Sequence, residues 1–165
     1  MILQSKLTVY AAIGALIALL GGIVYYASLD NPQLEQVEIE LADIQVRNVN
    51  TIENSAKLDV TFLVKNPSEK TFTVPLIAYE LFADDILLGS GQYSTEDIAM
   101  PGRAVFYSGS EIPLKNIFSL SRTEANADIY DAILNEQVNV FLAEGIIISE
   151  TSWSLIEKDF ATQLN

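Results

Sequence analysis

SAKLDVTFLVKNP, residues 55–67, decides the fold. Leu58, Val60, Phe62 and Val64 alternate with Asp59, Thr61 and Lys65. A period of two describes a strand with one face in a core and the other in water. Asn66-Pro67 stops it, since proline lends no amide to a ladder and asparagine suits turns. Upstream, VEIELADIQVRNV (37–49) alternates too but changes phase: Val37, Ile39 and Leu41 share one parity, Ile44 and Val46 the other. A bulge near Ala42-Asp43 keeps both sets on the core side. Downstream, FTVPLIAYELFA (72–83) is apolar on both parities. That pattern predicts a strand buried on both sides or near a sheet centre, with Pro75 at an edge or a bulge. Asp84-Asp85 predicts a tight turn into ILLGSGQYS.

The remaining chain extends the same architecture. A strand is predicted over about 104–112, after the Met100-Pro101-Gly102 turn, and a final hairpin pair over 136–149 and 151–164. One stretch breaks the pattern. In LKNIFSLSRTEANADIYDAILNE, Ile117 and Leu120, then Ala125, Ile129, Ile133 and Leu134, recur at helical spacing, which predicts a helix over 123–135 crossing between strands. Seven or so strands with turn signals and one connecting helix make a mainly β, antiparallel sandwich over residues 37–165.

A different solvent is written into the N-terminus. LTVYAAIGALIALLGGIVYYASL, residues 7–29, carries no charge. As a helix it is about 34 Å long against a hydrocarbon core of about 30 Å. Tyr10 and Tyr25-Tyr26 stand near its ends, where amphipathic rings favour the membrane interface. The run exceeds the apolar core of a signal peptide, and Tyr25-Tyr26-Ala27-Ser28 is a poor cleavage site, so an uncleaved transmembrane helix is expected. Lys6 and the terminal amine precede it, whereas Asp30, Glu35, Glu38 and Glu40 follow with no base before Arg47. The positive-inside rule then puts residues 1–6 in the cytoplasm and the C-terminal domain outside it. Residues 30–36 (DNPQLEQ) read as a linker, with Asn31-Pro32 ending the helix. Gly14, Ala18 and Gly22 recur every four residues, a stripe that allows helix packing and a homodimer through the span, although small residues are common in spans.

Composition excludes much. The 165 residues hold 22 acids, nine bases, no histidine and no cysteine. The net charge is −13, and residues 30–165 alone carry −14. Without histidine or cysteine there is no histidine relay, disulfide, thiolate nucleophile or iron–sulfur cluster, and structural zinc lacks its usual ligands. The acidic balance argues against nucleic acid. No catalytic, metal or cofactor-binding residues are assigned.

Val64-Lys65-Asn66-Pro67-Ser68, then Thr73-Val74-Pro75, Tyr79-Glu80-Leu81 and Leu88-Gly89-Ser90-Gly91 follow in order over about thirty residues. This resembles the group 2 late embryogenesis abundant proteins, whose domain is also called WHy (water stress and hypersensitive response). Val140 to Gly145 is similar to the family's late strand, and the likeness covers about 37–164. Ser68 departs from the family's usual second asparagine, but serine makes the same kind of local side-chain-to-backbone bond. The resemblance implies a folded immunoglobulin- or fibronectin-III-like sandwich, a role in desiccation or related stress, and no active site.

Each motif also has a purely structural account. Asn66-Pro67-Ser68 reads first as a turn, and Pro67 prevents glycosylation at Asn66. Gly89 and Gly91 suit a bulge or close backbone approach, not a phosphate loop. The acidic pairs Asp84-Asp85 and Glu96-Asp97 lack the spacing of a calcium loop and read as solvated turns. Trp153, Leu155 and Phe160 are placed in the last strand, as core more readily than as a lipid or peptide groove. The expected function is non-enzymatic stress protection at a cell membrane. The alternatives are an accessory subunit among membrane or envelope proteins and a lipid-binding or transfer module.

Overall fold

The computed structural model describes residues 6–96 and 104–165. The Met100-Pro101-Gly102 turn and Asp97 lie outside them. Helix α1 (Lys6–Ser28) is followed by one helical turn, α2 (Asn31–Leu34). The strands are β1 (Glu38–Asn50), β2 (Ser55–Lys65), β3 (Phe72–Ala83), β4 (Ile86–Ser94), β5 (Val105–Phe106) and β6 (Glu111–Ser121). Helix α3 (Ala127–Leu134) leads to β7 (Phe141–Glu150) and β8 (Leu155–Leu164). All pairings are antiparallel. One sheet has the order β1-β2-β6; the other runs β4-β3-β7-β8, with β5 on β3. The protein is mainly β, with two sheets packed on one core.

The alternation of β2 puts Leu58, Val60, Phe62 and Val64 wholly inside. In β1, Leu41 faces Phe62 and Asp43 faces Thr61, so Ala42 is the extra residue of a bulge. That bulge returns Ile44 to the core side after Leu41. In β3 the buried set changes parity, from Phe72 and Val74 to Ile77, Tyr79, Leu81 and Ala83. The change falls at Pro75, where Val74 and Pro75 oppose Ser149 alone. Pro75 also marks the point where β3 exchanges β5 for β4 as its neighbour. The strand is therefore apolar on both parities because its phase shifts at a bulge near the sheet centre; its outer face stays partly open. Asp84 and Asp85 have φ of 44° and 66°, the left-handed pair that a two-residue hairpin turn needs.

Four elements differ from their sequence reading. Residues 113–121, read as the approach to a helix, continue β6, with Leu114, Phe118 and Leu120 buried. The helix itself is shorter than 123–135 and covers only Ala127–Leu134. The strand predicted over 104–112 is two pieces, β5 and the start of β6, separated by a turn containing Gly109 at φ 74°. The final hairpin begins later than predicted, at Phe141, and Trp153 lies in its turn, not in a strand.

The sandwich is closed along one side by β1 and β8. Leu41 donates its N–H to Thr162 Oγ1 at 3.0 Å, and Lys158 Nζ donates to the Val37 carbonyl at 2.6 Å. Between the sheets, Phe62 packs edge-on against Tyr79 and Phe160, with centroids 4.9 and 5.9 Å away, and Tyr79 adjoins Phe118. Such offset and edge contacts fill a core densely.

Candidate functional site

Two places combine chemistry with position: the end of the sandwich next to α1, and the outer face of the larger sheet. The first is built from three chain segments. Helix α1 ends at Ser28, whose Oγ donates to the Tyr25 carbonyl at 2.7 Å. Pro32 does not terminate a helix; it opens α2, where its missing N–H costs nothing. Residues 30, 31, 33 and 34 tie this segment to the sandwich. Leu34 and Val37 are fully buried, which supplies the apolar drive for docking. Asp30 Oδ1 pairs with Lys70 Nζ at 3.0 Å. The carboxylate, hydrogen-bonded to the ammonium, holds Lys70 above the usual lysine range. Glu69 donates its N–H to Gln33 Oε1, and Ser149 Oγ donates to the Leu34 carbonyl. On the other flank, Thr151 Oγ1 reaches Asp30 Oδ2 at 3.5 Å and Ser154 Oγ donates to Asn31 Oδ1.

Asn66, Pro67 and Ser68 sit at this same end. Asn66 is buried, and its Nδ2 donates to the carbonyls of Lys70 (2.7 Å) and Phe106 (2.9 Å). Its Oδ1 accepts from Ser68 N–H and Ser68 Oγ at 3.0 and 2.7 Å. Its backbone pairs with Ser110 and Gly109. One asparagine thus fastens the β2–β3 turn to the β5–β6 turn, with every polar atom engaged. Ser68 supplies the expected local bond by accepting the Lys70 N–H at 3.3 Å. The turn in its own turn carries Lys70 and Glu69, the groups that receive the end of α1.

On the outer face of the larger sheet, an open depression of about 570 Å³ runs over Ala78, Glu80, Ser90, Gln92, Glu144 and Ile146. Glu80 and Glu144 are register partners, a like-charge pair that is locally unfavourable. No third ligand joins them: among the described residues no group of three acidic, histidine or cysteine side chains converges. Beneath the depression a row crosses the sheet as Gly91, Tyr79, Gly145 and Phe160. A Cβ on Gly91 would collide with the Tyr79 ring, and one on Gly145 with the Ala78 carbonyl. Tyr79 is buried, its hydroxyl accepts from Asn116 Nδ2 at 2.8 Å, and burial pushes its pKa up to about 12. Gly89 has φ 141° beside the bulge that leaves Leu88 unpaired between Leu81 and Phe82.

The acidic pairs part company. Asp85 is exposed, whereas Asp84 Oδ1 accepts the N–H groups of Asn139 (3.1 Å) and Val140 (3.0 Å). It anchors the loop before β7 and is not merely solvated. Gly14, Ala18 and Gly22 are exposed, with open space around both glycines. Trp153 is exposed, Phe160 packs on the core and Leu155 is exposed. Sequence reasoning missed Asp30, Gln33 and Lys70 as a group. The only signal was Leu34, an apolar residue inside an apparently polar linker, three residues before Val37.

No family model and no curated protein matches the chain. Solved structures do. The solution structure of AT1g01470 from Arabidopsis thaliana aligns with a TM-score of 0.56 at 9% identity, covering 77% of this chain and 78% of that one. The X-ray structure of a structural genomics target, SoR45, aligns at 0.50 and 7% identity, covering 79% and 87%. The solution structure of a "putative late embryogenesis abundant (LEA) protein", At2g46140.1, aligns at 0.46 and 11%, covering 98% and 90%. At these identities the likeness is one of fold.

Proposed function

We propose that this chain is a single-pass, membrane-anchored, non-enzymatic protein that holds an acidic sandwich against a membrane and protects neighbouring proteins during water stress. One observation carries the anchoring. The 27 residues Thr8–Leu34 include a helix long and apolar enough to cross a bilayer, and the fold buries none of its most apolar window. An uncovered apolar rod of that size calls for a nonpolar solvent. The N-terminal side is cytoplasmic and the sandwich external, on the charge asymmetry around Lys6.

The stress role rests on the ordered resemblance from Val64 to Gly91, with Asn66 buried as the structural centre of its turn. The immunoglobulin- or fibronectin-III-like reading is supported by two antiparallel sheets sharing one core. Protection would come from a hydrated acidic surface kept concentrated at the membrane. Full-length protein in liposomes, dried and rehydrated with a labile enzyme, should preserve more activity than an equally acidic protein on an unrelated span. Equal rescue removes the specific role.

An accessory-subunit role is the competing reading, favoured by the depression over Glu80 and Glu144. A single stoichiometric protein recovered after gentle detergent extraction would select it. Lipid transfer fits less well, because Phe62, Tyr79, Phe118 and Phe160 occupy the space between the sheets.

A further inference from the structure

We infer that Trp153, in the β7–β8 turn, seats in the interfacial zone of the same bilayer that α1 crosses, giving the sandwich a second point of attachment. The inference rests on the reading of α1 as a membrane span. Its position follows from bonds that do not involve the indole. Thr151 Oγ1 reaches Asp30, and Ser154 Oγ donates to Asn31. Asp30 and Asn31 lie two and three residues beyond the end of α1. The turn is therefore clipped to the point where the chain leaves the membrane, and Trp153 lies between its two clips.

The indole reaches back along the helix. Trp153 lines one apolar groove, of about 530 Å³, with Ala18, Leu19, Gly22, Ile23 and Tyr26. Those helix residues span more than two turns on the sandwich side of α1. Tyr25 and Tyr26 mark the interface at the outer end of that groove, and tryptophan shares their preference for it. Trp153 is 66% exposed to solvent and makes no side-chain hydrogen bond with the described residues. In water that exposure wastes the largest apolar side chain of the protein; in a headgroup layer it buries the ring and leaves the indole N–H wet. Leu155, two residues further along the chain, and Leu29, one residue past α1, are exposed as well. A domain held at two points cannot swing about its linker, which agrees with a linker docked on the sandwich.

Trp153 is the only tryptophan, so its fluorescence reports this site alone. The full chain is reconstituted in phosphatidylcholine vesicles without bromolipid, with lipids brominated near the top of the acyl chain, and with lipids brominated near its end, which reach the middle of the span. Blue-shifted emission, quenched by roughly half or more by bromolipid and shielded from aqueous iodide, is expected of an interfacial indole. A parallel variant, Trp153→Phe with Leu19→Trp, reports the span itself. Bromolipid quenching of the Leu19→Trp variant without quenching of Trp153 overturns the inference and leaves the anchor intact. Quenching of neither overturns both. A third variant, Trp153→Phe with Ile52→Trp, places the probe on the exposed β1–β2 turn, and it should remain open to iodide.

Discussion

Lys70 on the β2–β3 turn holds Asp30, two residues past the end of α1, through an ion pair of 3.0 Å. The pair is partly exposed, so its value lies in orientation more than in stability. Lys70→Met should leave the unfolding midpoint nearly unchanged while amides of residues 33–37 exchange faster with deuterium, and those of β2 and β3 do not. Alkaline pH should act likewise in the native chain. A lysine whose folded pKa is raised contributes fully below its unfolded value of 10.5 and loses that contribution as pH rises through the folded value. Exchange at residues 33–37 should therefore be flat to about pH 10 and rise beyond it after correction for intrinsic rates.

Asn66 makes the next prediction. Replacing it by alanine strips partners from the carbonyls of Lys70 and Phe106 and from the Ser68 N–H. Each buried orphan costs about 1–3 kcal/mol, so Asn66→Ala should lose roughly 3 kcal/mol in urea unfolding. Asn66→Asp restores the acceptor but neither donor and should fall close to the alanine variant. Ser68→Ala should cost only about 1 kcal/mol.

Much of this architecture was legible before the structure, and the failures have physical causes. The bulge at Ala42 followed from a phase change between Leu41 and Ile44, since a strand must keep its apolar residues on one side. Strand β6 was hidden because Asn116 occupies a core-facing position, where it serves the Tyr79 hydroxyl, while Ile117 is exposed. That reversal made a strand imitate a helix. Pro113 is tolerated because β6 is an edge strand. At the candidate site, Asn66 was visible as a turn residue, but Asp30 and Lys70 lie forty residues apart and share no local pattern. Trp153 was assigned to the core on residue type alone; its turn is decided by where β7 and β8 stop pairing.

Gly91 and Gly145 flank Tyr79 for different reasons, and substitutions should separate them. The obstacle at Gly91 is the Tyr79 ring; at Gly145 it is the Ala78 backbone. Both Gly→Ala changes overpack and should cost roughly 2–3 kcal/mol or more. In a Tyr79→Leu background the cost of Gly91→Ala should fall below about 1 kcal/mol, while Gly145→Ala stays as damaging. Denaturant melts of the three single and two double variants measure the coupling.

Tyr79 also sets an alkaline limit. Its burial raises the phenol to about 12 from the ordinary tyrosine value of 10.0. In the unfolded chain it ionises near pH 10, whereas in the fold it stays neutral to about pH 12. Between those values the unfolded state binds fewer protons, so stability falls as pH rises through the window. The full loss for such a shift is on the order of 2 kcal/mol. Tyr79→Phe removes the titrating group, along with the partner of Asn116. It should therefore start about 1 kcal/mol less stable at neutral pH yet show a flatter decline above pH 10. Parallel urea melts from neutral pH to pH 11 test this, and equal slopes for the two proteins would place the alkaline limit elsewhere.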